Sequence, residues 1–143
     1  MNKNKSLRAA AYVALAMLWP ALTAAETSVT CVPNGSPDEI ALTFSDTSSS
    51  ECGTYLDETG QDATFCQWTF AYRSSPAREA FEAAEAALDG CFPKTVTLSA
   101  HVNHPDRYDQ VFYNAETQVI SLSLKDKAQH QATYLFLRVE TAP

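Results

Sequence analysis

No Cys-x-x-Cys spacing, no Gly-x-Ser-x-Gly elbow, no internal repeat and no low-complexity tract occurs in these 143 residues. The first absence removes a thioredoxin-like redox motif and a cysteine-rich zinc site. The second leaves the serines without the strained turn that exposes a hydrolase nucleophile. Positive charge is scarce: 10 Lys and Arg stand against 17 Asp and Glu, for a formal net charge of −7. Such a surface repels phosphate backbones and argues against nucleic-acid binding. A membrane-spanning run is also missing, because the apolar stretch 7–22 is broken by Arg8 and Pro20 and falls short of the ~20 residues a spanning helix needs.

What the N-terminus does contain is a secretory signal. Lys3, Lys5 and Arg8 precede the apolar run, and Thr23 and Ala25 are the small residues expected before a cut after Ala25. Residues 1–25 are therefore read as a signal peptide and 26–143 as a single α+β domain, large enough for a real core. Glu26 follows the cut and Cys31 lies well beyond it, so no lipid-modified cysteine and no stable membrane anchor is expected after signal removal. Removal takes three cations and no acid, which leaves the mature chain at −10. The expected location is exported, periplasmic or extracellular.

Four cysteines, Cys31, Cys52, Cys66 and Cys91, all lie in the exported part, and an even count in an oxidising compartment predicts two disulfides. Residues 63–73 alternate Cys66, Trp68, Phe70 and Tyr72 against Phe65, Gln67 and Thr69, the period of a strand. Ser75 then offers a helix cap, Pro76 suits the first helical position, and Gly90 suits the residue just past the end. Ala77, Ala80, Phe81, Ala84, Ala87 and Leu88 form an apolar stripe between them. The strand advances ~23 Å from Cys66 and the helix returns ~21 Å, which predicts Cys66 with Cys91 and leaves Cys31 with Cys52. A closed loop of about 25 residues contributes ~3.5 kcal/mol under the loop-entropy model. The rival pairing joins Cys52 to Cys66 across the intervening loop.

Elsewhere, 27–32 and 39–45 read as short strands around an Asn-Gly-Ser-Pro turn, and 45–51 as a polar loop. The segment 94–102 alternates, 108–113 and 117–125 flank a turn at 114–117, and 132–140 is apolar on much of both faces, hence central. The fold class is α+β: one amphipathic helix packed on a mainly antiparallel sheet.

Chemistry concentrates in Ser99–Gln110, which holds two of the three histidines. His101, His104 and Asp106, completed by His130, would suit zinc or copper. Against this, three-residue spacing along a strand sends two rings to opposite faces, and Pro105 holds His104 extended. A polar turn built by Asn103 and Asp106 accounts for the same residues. His104 beside Asp106 or Asp109 could act as an acid or base, yet neither Ser99 nor Ser121 carries a nucleophile signature. Asp57, Glu58 and Asp62 surround Gly60 but miss the calcium-loop spacing. Lys125 and Lys127 form the one local basic cluster after the signal and could contact an anionic ligand.

The function expected from these features is an exported, disulfide-stabilised, non-catalytic binding or interaction protein for an unknown protein or small ligand. Asn103, His104, Asp106, Tyr108, Lys125 and Lys127 are its candidate contacts, and no cofactor is expected. The alternative is a periplasmic metal-binding protein using His101, His104, Asp106 and His130 with zinc or copper; a small hydrolase comes third.

Overall fold

Side-chain alternation and one helical stripe build nearly the whole domain. The computed structural model describes residues 27–33, 35–103 and 106–142, with backbone alone for 96–103, 106 and 107. In chain order it runs through β1 (Ser28–Thr30), a 3-10 turn at Pro37–Glu39, β2 (Ala41–Thr43), β3 (Ser49–Leu56), β4 (Asp62–Ala71) and α1 (Ser75–Cys91). It continues through β5 (Lys94–Asn103), β6 (Asp106–Ala115), β7 (Gln118–Lys127), a 3-10 turn at Ala128–His130 and β8 (Ala132–Thr141). Strands β3 to β8 form one antiparallel sheet in the order β3-β4-β8-β7-β6-β5, and β1 pairs with β2 separately. The helix carries the chain from β4 to the far edge at β5, and the meander β5 to β8 returns until β8 pairs with β4. The α+β class expected from the sequence is the observed one.

The core lies between α1 and one face of the sheet. Phe70, Leu122, Leu135 and Ile120 are fully buried there, facing Ala77, Ala80, Ala84 and Leu88 of the helix. Three alanines on that stripe bring the helix backbone close to the strands, and each large side chain removed from water contributes about 1.5–3 kcal/mol. Phe44, just past β2, stands edge-on to Trp68 with ring centroids 5.1 Å apart, so the small β1–β2 ladder seals one margin of the core. Among the described residues no helix is long and apolar enough to cross a membrane.

The disulfide pairing expected from strand and helix lengths is corrected: the bridges are Cys31–Cys91 and Cys52–Cys66, not Cys66–Cys91 and Cys31–Cys52. The cause is β3, whose first residues carry the composition of a polar loop. Its residues Ser49–Thr54 are small or polar, and the strand through Tyr55 and Leu56 is mostly exposed, so an edge strand formed without a hydrophobic period. Pairing of β3 with β4 sets Cys52 directly opposite Cys66, with Cα atoms 4.0 Å apart. The segment after β1 meanwhile runs beside the end of α1, where Cys31 Sγ lies 3.5 Å from the Ala87 carbonyl and reaches Cys91.

That bridge also moves the helix end. Ser74, not Ser75, is the N-cap, and α1 passes through Gly90 to Cys91 because Cys91 is tethered and Phe92 is buried beyond it. The turns are made with few glycines. Gly60 takes φ +79 in the β3–β4 turn, whereas Arg73, Glu116 and Gln131 adopt left-handed backbone without one. Asp57 holds the first of these turns by accepting from Thr59 N at 2.8 Å and Gln61 N at 3.0 Å, and the Thr59 hydroxyl and these backbone bonds keep its carboxyl below the usual range.

Candidate functional site

With α1 on one face, no described element packs on the other face of the sheet, and strand register decides what it presents. Since Trp68, Leu135 and Leu124 point to the helix, their neighbours along each strand point away. One row across this open face pairs Thr69 with Tyr134, Tyr134 with Lys125 and Lys125 with Tyr108. The next contains Gln67, Phe136, Ser123 and Gln110, and the third Phe65, Arg138, Ser121 and Phe112. Ser121 and Ser123 are only 6% and 5% exposed because these larger neighbours stand around them, which makes a low polar floor between taller walls.

Several contacts order the walls. Lys125 Nζ lies 5.6 Å from the Tyr108 ring centroid, and the Tyr134 and Phe136 rings lie 6.0 Å apart. The Tyr134 hydroxyl pairs with His130 Nδ1 at 3.0 Å. At the far end, the Arg138 guanidinium sits 5.5 Å over the Phe136 ring, and Tyr55 meets Phe65 edge-on at 6.1 Å. The Tyr55 hydroxyl donates to the Glu140 carboxylate. Burial first, then that bond and the charge of Glu140, push the Tyr55 phenol up to about 12, so it stays protonated and donating at neutral pH.

The sequence candidates divide accordingly. Tyr108 and Lys125, from two separate segments, become cross-strand neighbours, and His130 joins their row through Tyr134. Lys127 lies on the open-face register at the end of β7, opposite Ala132. Asn103 and Asp106 pair at the end of the β5–β6 hairpin, and His104 lies outside the described residues. Of the four metal candidates, His101 sits in register with Tyr108, whereas His130 contacts Tyr134 two strands further on. That places the backbone of His101 about three strand spacings, or ~14 Å, from that of Tyr134, the residue His130 contacts. Among the described residues no group of three or more His, Cys, Asp and Glu could hold a metal ion.

Asp109 belongs to the opposite face. It is buried on the helix side, 3.7 Å from the Arg78 guanidinium. Asp126 lies on the same side, accepting from Arg73 Nε at 3.1 Å and the Thr133 hydroxyl at 2.7 Å. Thr133 Oγ1 in turn accepts from Arg73 N at 2.8 Å. These groups close the core at the start of α1, and they account for two basic residues as structural partners. Tyr113, also on this side, donates to Asp89 at 3.0 Å, and burial first, then that bond, raise its phenol well above the ordinary value.

Sequence reading did not single out Tyr55, Phe65, Gln67, Phe136 or Arg138. Phe65 and Gln67 carried a signal, since alternation set them opposite Trp68 and Phe70; Phe136 and Arg138 looked like part of a strand apolar on both faces. The fold thus defines a one-helix α+β module with one covered and one open sheet face. No protein-family model matches the chain, and neither the curated proteins nor the solved structures yield a match.

Proposed function

We propose that this chain is an exported, non-catalytic binding protein that holds an anionic, ring-bearing ligand across the open face of its sheet. The observation that carries this reading is the row Tyr108, Lys125, Tyr134 and His130, in which cationic and aromatic side chains from three strands and a turn meet on the uncovered face. Lys127 and Arg138 add to that face, which also carries Glu51 and Glu140 toward the β3 edge, while most other acids lie on the helix, the β3–β4 turn and the N-terminal segment. Three of the cations of an acidic protein thus gather on this face, and a negatively charged ligand is attracted to them rather than to the acid-rich rest. Aromatic rings flanked by polar groups supply flat contact area at low entropic cost. Two disulfides support an exported address, since such bridges persist in oxidising compartments.

The test is an amide-shift screen of the purified chain against small-molecule and oligosaccharide pools sorted by charge. Acidic pools should perturb residues 108, 125 and 134, and Lys125→Gln should weaken the response about 10-fold. Equal responses to neutral pools, or responses confined to the helix side, would sink the reading.

A further inference from the structure

Of the arginines whose side chains the structure describes, Arg73 and Arg78 are ion-paired to buried aspartates. Arg138 makes no ion pair among the described residues, although acids far outnumber cations in this chain. It lies exposed on β8 with its guanidinium carbon 5.5 Å over the Phe136 ring, and it helps line a hollow of about 310 Å³. Tyr55, Phe65 and Phe136 wall this hollow, and Gln67 adds an amide. Gly53 lies behind one wall: it pairs with Phe65, and a Cβ there would stand 3.0 Å from that ring. The nearby Glu140 carboxylate already accepts the Tyr55 hydroxyl.

We propose that this hollow is a binding site for a small carboxylate with a flat, ring-bearing body. The carboxylate meets the planar guanidinium of Arg138 in a two-point contact, and the ring lies against Phe65 and Phe136 beside Tyr55. The planar, five-donor guanidinium can grip both carboxylate oxygens at once, which the point charge of a lysine cannot. Gln67 can donate to or accept from a second polar substituent. The assignment rests on the open-face reading above and names its ligand class and anchor.

The test is an amide-shift titration of the purified chain with phenylacetate and with its uncharged analogue phenylacetamide. Phenylacetate should move residues 53–55, 65–67 and 136–138, and should bind about 10-fold or more tightly than the amide. Arg138→Gln, an exposed change that leaves the core intact, should remove that preference and leave amide binding unaltered; Arg138→Lys should restore only part of it. Equal binding of acid and amide, or an unchanged preference in Arg138→Gln, overturns the proposal. If phenylacetate instead moves residues 108, 125 and 134 and responds to Lys125→Gln alone, the hollow is wrongly assigned while the open-face reading survives. If no acid moves any open-face amide, both fail.

Discussion

Breaking each disulfide separately should cost unequal amounts of stability, with Cys31–Cys91 the more important. The bridges are nested, because the 14-residue separation of Cys52–Cys66 lies inside the 60-residue separation of Cys31–Cys91. In the loop-entropy model the inner bridge contributes about 3 kcal/mol. With the inner loop already closed, the outer separation of 60 is shortened by 14 to about 46 effective links, and the outer bridge still contributes about 4 kcal/mol. Packing acts in the same direction, since Cys31 and Cys91 both lie half-buried against the core whereas in the inner pair only Cys66 does and Cys52 is exposed. A loss of about 4 kcal/mol is a large part of the 5–15 kcal/mol typical of a folded domain. Urea unfolding of the Cys31→Ala/Cys91→Ala and Cys52→Ala/Cys66→Ala variants measures both. With a slope of about 1.5 kcal/mol/M, the midpoint should fall by about 2.5 M for the outer pair and about 2 M for the inner pair. Non-reducing peptide mapping checks the connectivity directly. A peptide joining Cys66 to Cys91, or a greater loss from the inner pair than from the outer, would refute the reasoning.

Other consequences can be measured on the same protein. Thr133→Val removes both the donor to Asp126 and the acceptor for the Arg73 amide, and should cost about 1–3 kcal/mol by chemical denaturation. Leu122→Ala, on the helix face, should cost about 2–5 kcal/mol, whereas Lys125→Gln, three residues on and on the open face, should change stability by less than about 0.5 kcal/mol. In an alkaline absorbance titration, Tyr55 should ionise near 12 rather than 10, and Tyr55→Phe should delete that late step. Because its folded value is raised, the associated stability is intact below pH 10 and is lost as pH rises toward 12. Native mass spectrometry with micromolar zinc or copper should detect no stoichiometric metal; a bound ion lost in His104→Ala would restore the metal reading.

Much of the architecture was legible locally. The alternation of Trp68 and Phe70 against Phe65 and Gln67 identified β4, and the spacing of Ala77, Ala80, Phe81, Ala84 and Leu88 identified the packed face of α1. The two-sided apolar pattern of residues 132–140 marks a central strand, and β8 is third of six. The edge strand β3 was not legible because its sequence, Ser-Ser-Glu-Cys-Gly-Thr-Tyr-Leu, buries almost nothing. Missing that strand misplaced Cys52 and therefore every disulfide. Tyr108, Phe112 and Tyr113 share one strand, and its register sends Tyr113 inward and the other two outward.

The candidate site was visible only as two polar segments, one around Tyr108 and one around Lys125. Their meeting depends on β6 pairing with β7 in a single register, and Arg138 joins the same face only because β8 inserts between β4 and β7. The sequence by itself determined which residues alternate, where the helix lies and which side chains it buries, because period and capping act between near neighbours. Tertiary structure alone decided strand order, disulfide partners and the make-up of the open face. Those depend on pairings between residues far apart in the chain, and side-chain alternation says which face a residue shares but not which strand lies beside it.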